Sequence, residues 1–156
     1  MLLAAQAFSG APRAAPAAPL EACLDLDVDR TQELLSLCAH EGHPLVVSGP
    51  WVQEQCGVGV LQGPLLDCAW GQGQLTLHLA GASLRWHERQ VSRTEWWRWR
   101  AALGLRHGLR LLDDHGQLAL HIGAPLRSPH CEGALWRAWM DWIADRPVRP
   151  SPQHTA

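Results

Sequence analysis

The chain has 156 residues, 47% apolar and 18% charged. That is enough chain for one domain with its own core, and too apolar and too weakly charged for a disordered polymer. A net charge of −2 with histidine neutral leaves no basic excess to condense on phosphates, which argues against a nucleic-acid binder. No apolar run approaches the roughly 20 residues needed to cross a bilayer.

Residues 1–20 are rich in Ala and Pro, with Pro12, Pro16 and Pro19 too closely spaced for a helix to continue, and read as a flexible lead-in. No positive segment precedes their apolar start, so a cytoplasmic protein is expected rather than an exported one. The ordered domain is expected over 21–145, followed by a proline-rich flexible tail over 146–156. The cysteine count, 5, is odd and no C-x-x-C pair occurs, which predicts reduced, mostly buried thiols.

Within the domain, Asp29-Arg-Thr-Gln32 has the pattern of a capping box, and Leu34, Leu37 and Cys38 then share a helical face up to Gly42. Short apolar runs follow at Leu45–Ser48, Gly57–Leu61 and Gln74–Leu79, with turns expected at Gly63-Pro64 and Gly71-Gln-Gly73. Ser83–Val91 alternates, Leu84 and Trp86 against Arg85, His87 and Arg89, as in a strand with one open face. Thr94–Leu103 (TEWWRWRAAL) fits both periods poorly and leans toward helix. Leu109–Leu112 and Gln117–Ile122, joined by Asp113-Asp-His-Gly116, predict a hairpin. Leu135, Trp136, Trp139, Met140 and Ile143 predict a final helix. The order of elements is that of an α+β domain, a large antiparallel β-sheet flanked by helices.

The succession AHEGHPLVVSG, CGVGVLQGPL, QLTLHLAGASL, GLRLLDDHGQLALHIGAP and LWRAWMDWIA resembles the C-terminal half of the cytoplasmic haem-handling proteins of the HemS/ChuS/PhuS type, over roughly Leu20 to Ile143. The resemblance implies a HemS-like half-domain, haem as the ligand, and a role in intracellular haem trafficking and utilisation during iron acquisition. Haem breakdown, in an enzyme subunit, is carried by some members. Half-length relatives of the ChuX/HutX type form homodimers, so a homodimer is expected here. The family's axial histidine lies upstream of its C-terminal half, and its Arg-Lys-Pro after the L-H-L strand is replaced here by His87-Glu-Arg-Gln90. A half-domain that has lost haem and serves as an interaction partner is therefore the alternative.

Haem requires an axial ligand, an apolar slot and cations for its propionates. His78, on the L-x-L-H-L strand, is the first candidate for the iron; the competing reading is a histidine hydrogen-bonded across the sheet. His121 and His87 follow, and strand periodicity allows all three to line one side of a sheet. Arg85, Arg89 and Arg127 are candidate propionate partners, or simply solvated arginines. Trp136 and Trp139 read as core. Trp96, Trp97 and Trp99 cannot all point inward and suggest a planar-ligand slot or, preferably, a subunit interface. Cys38-x-His40-x-x-His43 has metal-ligating residue types but no second cluster at zinc spacing. No phosphate loop or hydrolase signature occurs.

Overall fold

The computed structural model describes residues 20–101, 104–128 and 131–145. The expected lead-in, apart from Leu20, and the expected tail lie outside these residues. The elements are β1 (Leu20–Leu26), α1 (Val28–His40), β2 (Pro44–Ser48), α2 (Pro50–Cys56), β3 (Val60–Gly71), β4 (Gln74–Leu79), β5 (Ala82–His87), β6 (Arg93–Ala101), β7 (Gly104–Leu112), β8 (Leu118–Gly123), β9 (Leu126–Ser128), β10 (Cys131–Glu132) and α3 (Ala134–Asp145). A 3-10 turn over Glu88–Gln90 links β5 to β6. Eight strands form one sheet in the order β1-β6-β7-β8-β2-β3-β4-β5, with antiparallel neighbours throughout; β9 and β10 make a separate ribbon.

One face of the sheet is the core. Leu45, Val47, Leu75, Leu77, Leu84, Trp86, Leu109, Leu111, Leu120 and Ile122 are fully buried there, with Leu34, Leu35 and Cys38 of α1 and Trp136, Met140 and Ile143 of α3. Each such side chain contributes about 1.5–3 kcal/mol by leaving water. The alternation in β4 and β5 and the helical stripe of α3 are the patterns that produce this face.

Four local expectations are corrected. The cap of α1 is Asp27, whose carboxylate accepts the Arg30 N–H at 2.7 Å, so the helix begins two residues ahead of the Asp29 box. Gly63-Pro64 is no turn: it lies within β3, where Pro44 and Pro64 are partners. There β3 passes from pairing with β2 to pairing with β4, so the missing Pro64 N–H interrupts neither ladder. The segment expected to lean helical is β6, held between β1 and β7. Its period is two, with Thr94 and Trp96 buried inward and Trp97 and Trp99 facing outward, and two neighbouring strands outweigh a weak local preference. Among the described side chains Cys23, Cys38, Cys56 and Cys68 are free thiols, but only Cys38 is buried, with Cys23 exposed and Cys56 and Cys68 intermediate. Burial pushes the Cys38 and Cys68 thiols up to about 12.

Four elements escaped the sequence reading: β1, α2 and the two ribbon strands β9 and β10. The helix α2 starts at Pro50 behind Gly49; that glycine has a φ of +132°, and a Cβ on it would stand 2.8 Å from the Ala119 carbonyl oxygen. From α2, the Gln55 side chain reaches the edge strand β5.

Candidate functional site

Partners in an antiparallel register share a face, so the pairings define what stands opposite the core. Leu109↔Ile122 and Leu111↔Leu120 point to the helices, leaving Arg110↔His121 and Gly108↔Gly123 on the other side. Across β6 and β7, Glu95↔Arg110, Trp97↔Gly108 and Trp99↔Arg106 extend the same face. A short strip of β6, β7 and β8 thus gathers two tryptophans, two arginines, one carboxylate and one imidazole over two glycines.

The strip is internally organised. Glu95, 6% exposed, is its anionic hub. Its Oε2 accepts from Arg110 Nη2 at 2.7 Å, from Arg110 Nε at 3.2 Å and from Trp97 Nε1 at 3.2 Å, while Arg93 Nη2 lies 3.2 Å from Oε1. The Arg110 guanidinium lies over the Trp97 ring, 3.5 Å from its centroid, a cation–π contact worth about 0.5–2 kcal/mol. Trp97 meets Trp99 edge-on at 6.3 Å, and Trp99 meets His121 edge-on at 5.7 Å. Arg106 Nη1 is buried and has no hydrogen-bond partner among the described residues.

His121 lies partly buried against the backbone of β7. Burial first, and the Arg110 charge second, lower its pKa to about 4. At neutral pH it is therefore an uncharged imidazole, the form that ligates a metal.

The other sequence-derived candidates stand elsewhere. His78 on β4 is half-buried, opposite Asp67 and Ser83, and shares a 3.0 Å hydrogen bond between its Nδ1 and Ser83 Oγ. Arg85 and His87 share its face of β5, both exposed; His87 Nδ1 accepts the Arg89 N–H at 3.3 Å and caps the 3-10 turn. Arg89 is exposed on that turn. Arg127 stands on β9, and its side chain lies outside the described set.

His78, His87 and His121 do lie on one side of one sheet, as the register connects them, but they do not converge. Ser48 pairs with both His121 and Val60 at the start of β3, whereas His78 pairs with Asp67 toward its other end. At about 3.3 Å per residue, that puts His78 and His121 about 20 Å apart along the sheet.

Trp96 points into the core and donates from Nε1 to the Met140 carbonyl at 3.0 Å. Cys38, His40 and His43 separate: Cys38 is buried, His40 is exposed, and His43 packs against Trp136 and Trp139 while its Nδ1–H donates to the Pro44 carbonyl at 2.8 Å.

Glu95, Arg106, Gly108 and Arg110 were missed by sequence reasoning. Only the β6–β7 register reveals them, since Glu95 and Arg110 become neighbours through a pairing that a helical reading of β6 forbids. On the core side, His107 and Glu132 form a second buried polar cluster, with Asp141 Oδ1 lying 3.4 Å from His107 Nε2. Trp136 Nε1 donates to the His107 carbonyl and the Trp96 ring packs against the imidazole, while the buried His107 Nε2 has no hydrogen-bond partner among the described residues.

No family model matches the chain, and no curated protein does. Solved structures do. PhuS, a heme-binding protein from Pseudomonas aeruginosa, superposes with a TM-score of 0.62 at 18% identity, over 77% of this chain and 34% of its own. ChuS, an E. coli heme oxygenase, gives 0.63 at 15% identity over 78% and 36%. The heme-binding protein ChuX gives 0.60 at 9% identity over 80% and 76%. The chain thus spans about a third of the length of PhuS and ChuS and about three quarters of ChuX. With an eight-stranded antiparallel sheet and three α-helices among its described residues, this chain has the fold shared by the haem-handling proteins PhuS, ChuS and ChuX.

Proposed function

We propose that this protein binds haem on the open face of its sheet, at the Trp99–His121 strip, and acts as a haem carrier in the cytoplasm, receiving the ligand and passing it on for iron acquisition. The observation that carries this reading is the coincidence, within one strip, of an uncharged imidazole, two tryptophan rings set edge-on to one another and an arginine with a free buried N–H. Those are the three demands of the ligand: a nitrogen for iron, apolar rings against a planar macrocycle, and a guanidinium for a propionate. His121 replaces His78 as the preferred iron ligand, because the surroundings of His78 on β3–β5 are polar and supply no tryptophan plate. The haem-binding neighbours PhuS and ChuX support the ligand class. Bound haem, held by His121 at its iron and by Arg106 at a propionate, would supply a redox-active iron centre. The same face, carrying Trp97 and Trp99 with flanking arginines, has the composition of a subunit interface and would pair two copies around the ligand.

The test is a hemin titration of purified protein followed in the Soret band, beside His121→Ala and His78→Ala. A saturable shift that weakens at least tenfold in His121→Ala and is unchanged in His78→Ala is expected. The opposite pattern moves the ligand to His78. No saturable change at micromolar hemin overturns haem binding and leaves the interaction-partner reading. Light scattering across the same titration reports the dimer.

A further inference from the structure

The floor beneath His121 has a feature that ligand binding alone does not require. A Cβ on Gly108 would stand 2.7 Å from His121 Nε2, 2.9 Å from Cε1 and 3.1 Å from the Ile122 carbonyl oxygen. Approaches below 3.0 Å are essentially closed to a real side chain, so the imidazole occupies the space that every residue except glycine fills with its own Cβ. Gly123, the register partner of Gly108, is less critical: its Cβ would meet His121 Cε1 at 3.5 Å, an ordinary contact. Trp99 stands edge-on at 5.7 Å and bounds the ring on the β6 side.

We propose that Gly108 is a positioning residue which parks the His121 ring against the backbone of β7, and that ligand capture swings this ring out to present its nitrogen. Nε2, packed over Gly108, cannot also face a planar ligand lying above the strip, and Nδ1, 3.9 Å from a Cβ built on Gly123, lies over the same floor. His121 makes no hydrogen bond among the described residues that would hold it down; the cradle and the Trp99 edge bound the ring and oppose a change of rotamer. The parked orientation makes the ligand-free protein a closed form, and the apparent affinity is reduced by the fraction of time the ring spends parked. The identity of the ligand rests on the haem reading above; the parking of the ring does not.

The experiment uses the full chain and solution NMR. In ligand-free protein, nuclear Overhauser contacts are expected between the His121 Hε1 proton and the Gly108 Hα protons, and they should vanish in Gly108→Ala while persisting in Gly123→Ala. Absence of the contacts in wild type, or their persistence in Gly108→Ala, overturns the proposal. Diamagnetic gallium protoporphyrin is then added: loss of the Hε1–Hα contacts on binding is expected, and their retention in the bound state overturns the swing.

Hemin titration completes the test. Removing the parked state predicts an affinity for Gly108→Ala several-fold tighter than wild type, abolished by adding His121→Ala, whereas a merely structural glycine predicts weaker binding in step with lost stability. Gly108→Ser, checked by circular dichroism, gives a second obstruction of the cradle should the alanine variant fold poorly; a cradle contact surviving in it likewise overturns the proposal. If wild type takes up neither porphyrin, the haem reading fails, and the ligand-free contacts alone decide the parking.

Discussion

Gln55, near the end of α2, treats Arg85 on the edge strand β5 as a neighbouring strand would. Its Oε1 accepts the Arg85 N–H at 2.8 Å and its Nε2 donates to the Arg85 carbonyl. A side-chain amide has the same donor and acceptor as a peptide group, so one glutamine imitates one rung of a ladder. The sheet order puts β5 at one margin, yet α2 also packs on β2, β3 and β8, so the sheet must curl for its last strand to reach that helix. At that rung the helix covers the edge against other chains.

Replacing Gln55 by Ala should cost about 1 kcal/mol, the net value of partly solvated hydrogen bonds, measured in urea. The more telling effect is association. With the Arg85 backbone groups uncovered, concentration-dependent oligomers should appear in light scattering, and Gln55→Glu, which keeps the acceptor but loses the donor, should fall between. A monodisperse Ala variant at high concentration would show that α2 does not guard this edge.

The buried His107–Glu132 pair holds β10 and the start of α3 onto β7. Glu132 Oε1 accepts the His107 backbone N–H at 2.6 Å and Oε2 accepts Nδ1–H at 2.9 Å, while Trp136 Nε1 donates to the His107 carbonyl at 3.2 Å. Glu132 and His107 are only 5% and 3% exposed. Glu132→Ala strips both donors of their acceptor where no water reaches them, so a loss of about 3 kcal/mol is expected. Chemical denaturation would measure it, and a loss under about 1 kcal/mol would mean that water enters the site.

Arg110 and Glu95 should couple. Glu95 is buried enough that its side chain is 8% exposed, and Arg110, at 29%, gives it two of its hydrogen bonds. A double-mutant cycle with Arg110→Ala and Glu95→Ala should return about 1–2 kcal/mol of interaction, above the usual value for exposed pairs. Arg110→Ala alone should be the milder change, because Arg93 and Trp97 still face the carboxylate.

What could be read from the sequence divides along physical lines. Leu75, Leu77, Leu84 and Trp86 announced β4 and β5 because one face is dry and the other wet, and period two is then written in the residues. The helix α3 was equally legible from its stripe. β6 was not, because both of its faces carry tryptophan: Trp96 packs inward on α3 while Trp97 and Trp99 face the open strip, which erases the alternation. That single misreading hid the strip itself, since Glu95↔Arg110 and Trp99↔Arg106 exist only through strand register. His121 could be named from periodicity, but its glycine cradle is a long-range contact that no local pattern carries.

The depressed pKa of His121 makes a pH prediction with a definite sign. Its folded value is about 4, below the usual 6.5, so at low pH the unfolded chain binds a proton that the folded one resists. The contribution is fully present above pH 6.5 and is lost as pH falls toward 4, by about 1.4 kcal/mol per pH unit and about 3 kcal/mol in total. His121→Phe should remove that part of the slope, so wild type and variant, compared by urea midpoints from pH 7 to 4, should diverge as the acid limb is entered. Burial is the larger cause and Arg110 the smaller. Arg110→Met should therefore return only the lesser part of the shift, visible as a modest upward move of the His121 titration by NMR. Full recovery to 6.5 in that variant would mean that charge, not burial, governs the imidazole, and parallel acid limbs for wild type and His121→Phe would mean that His121 is solvated in the folded protein.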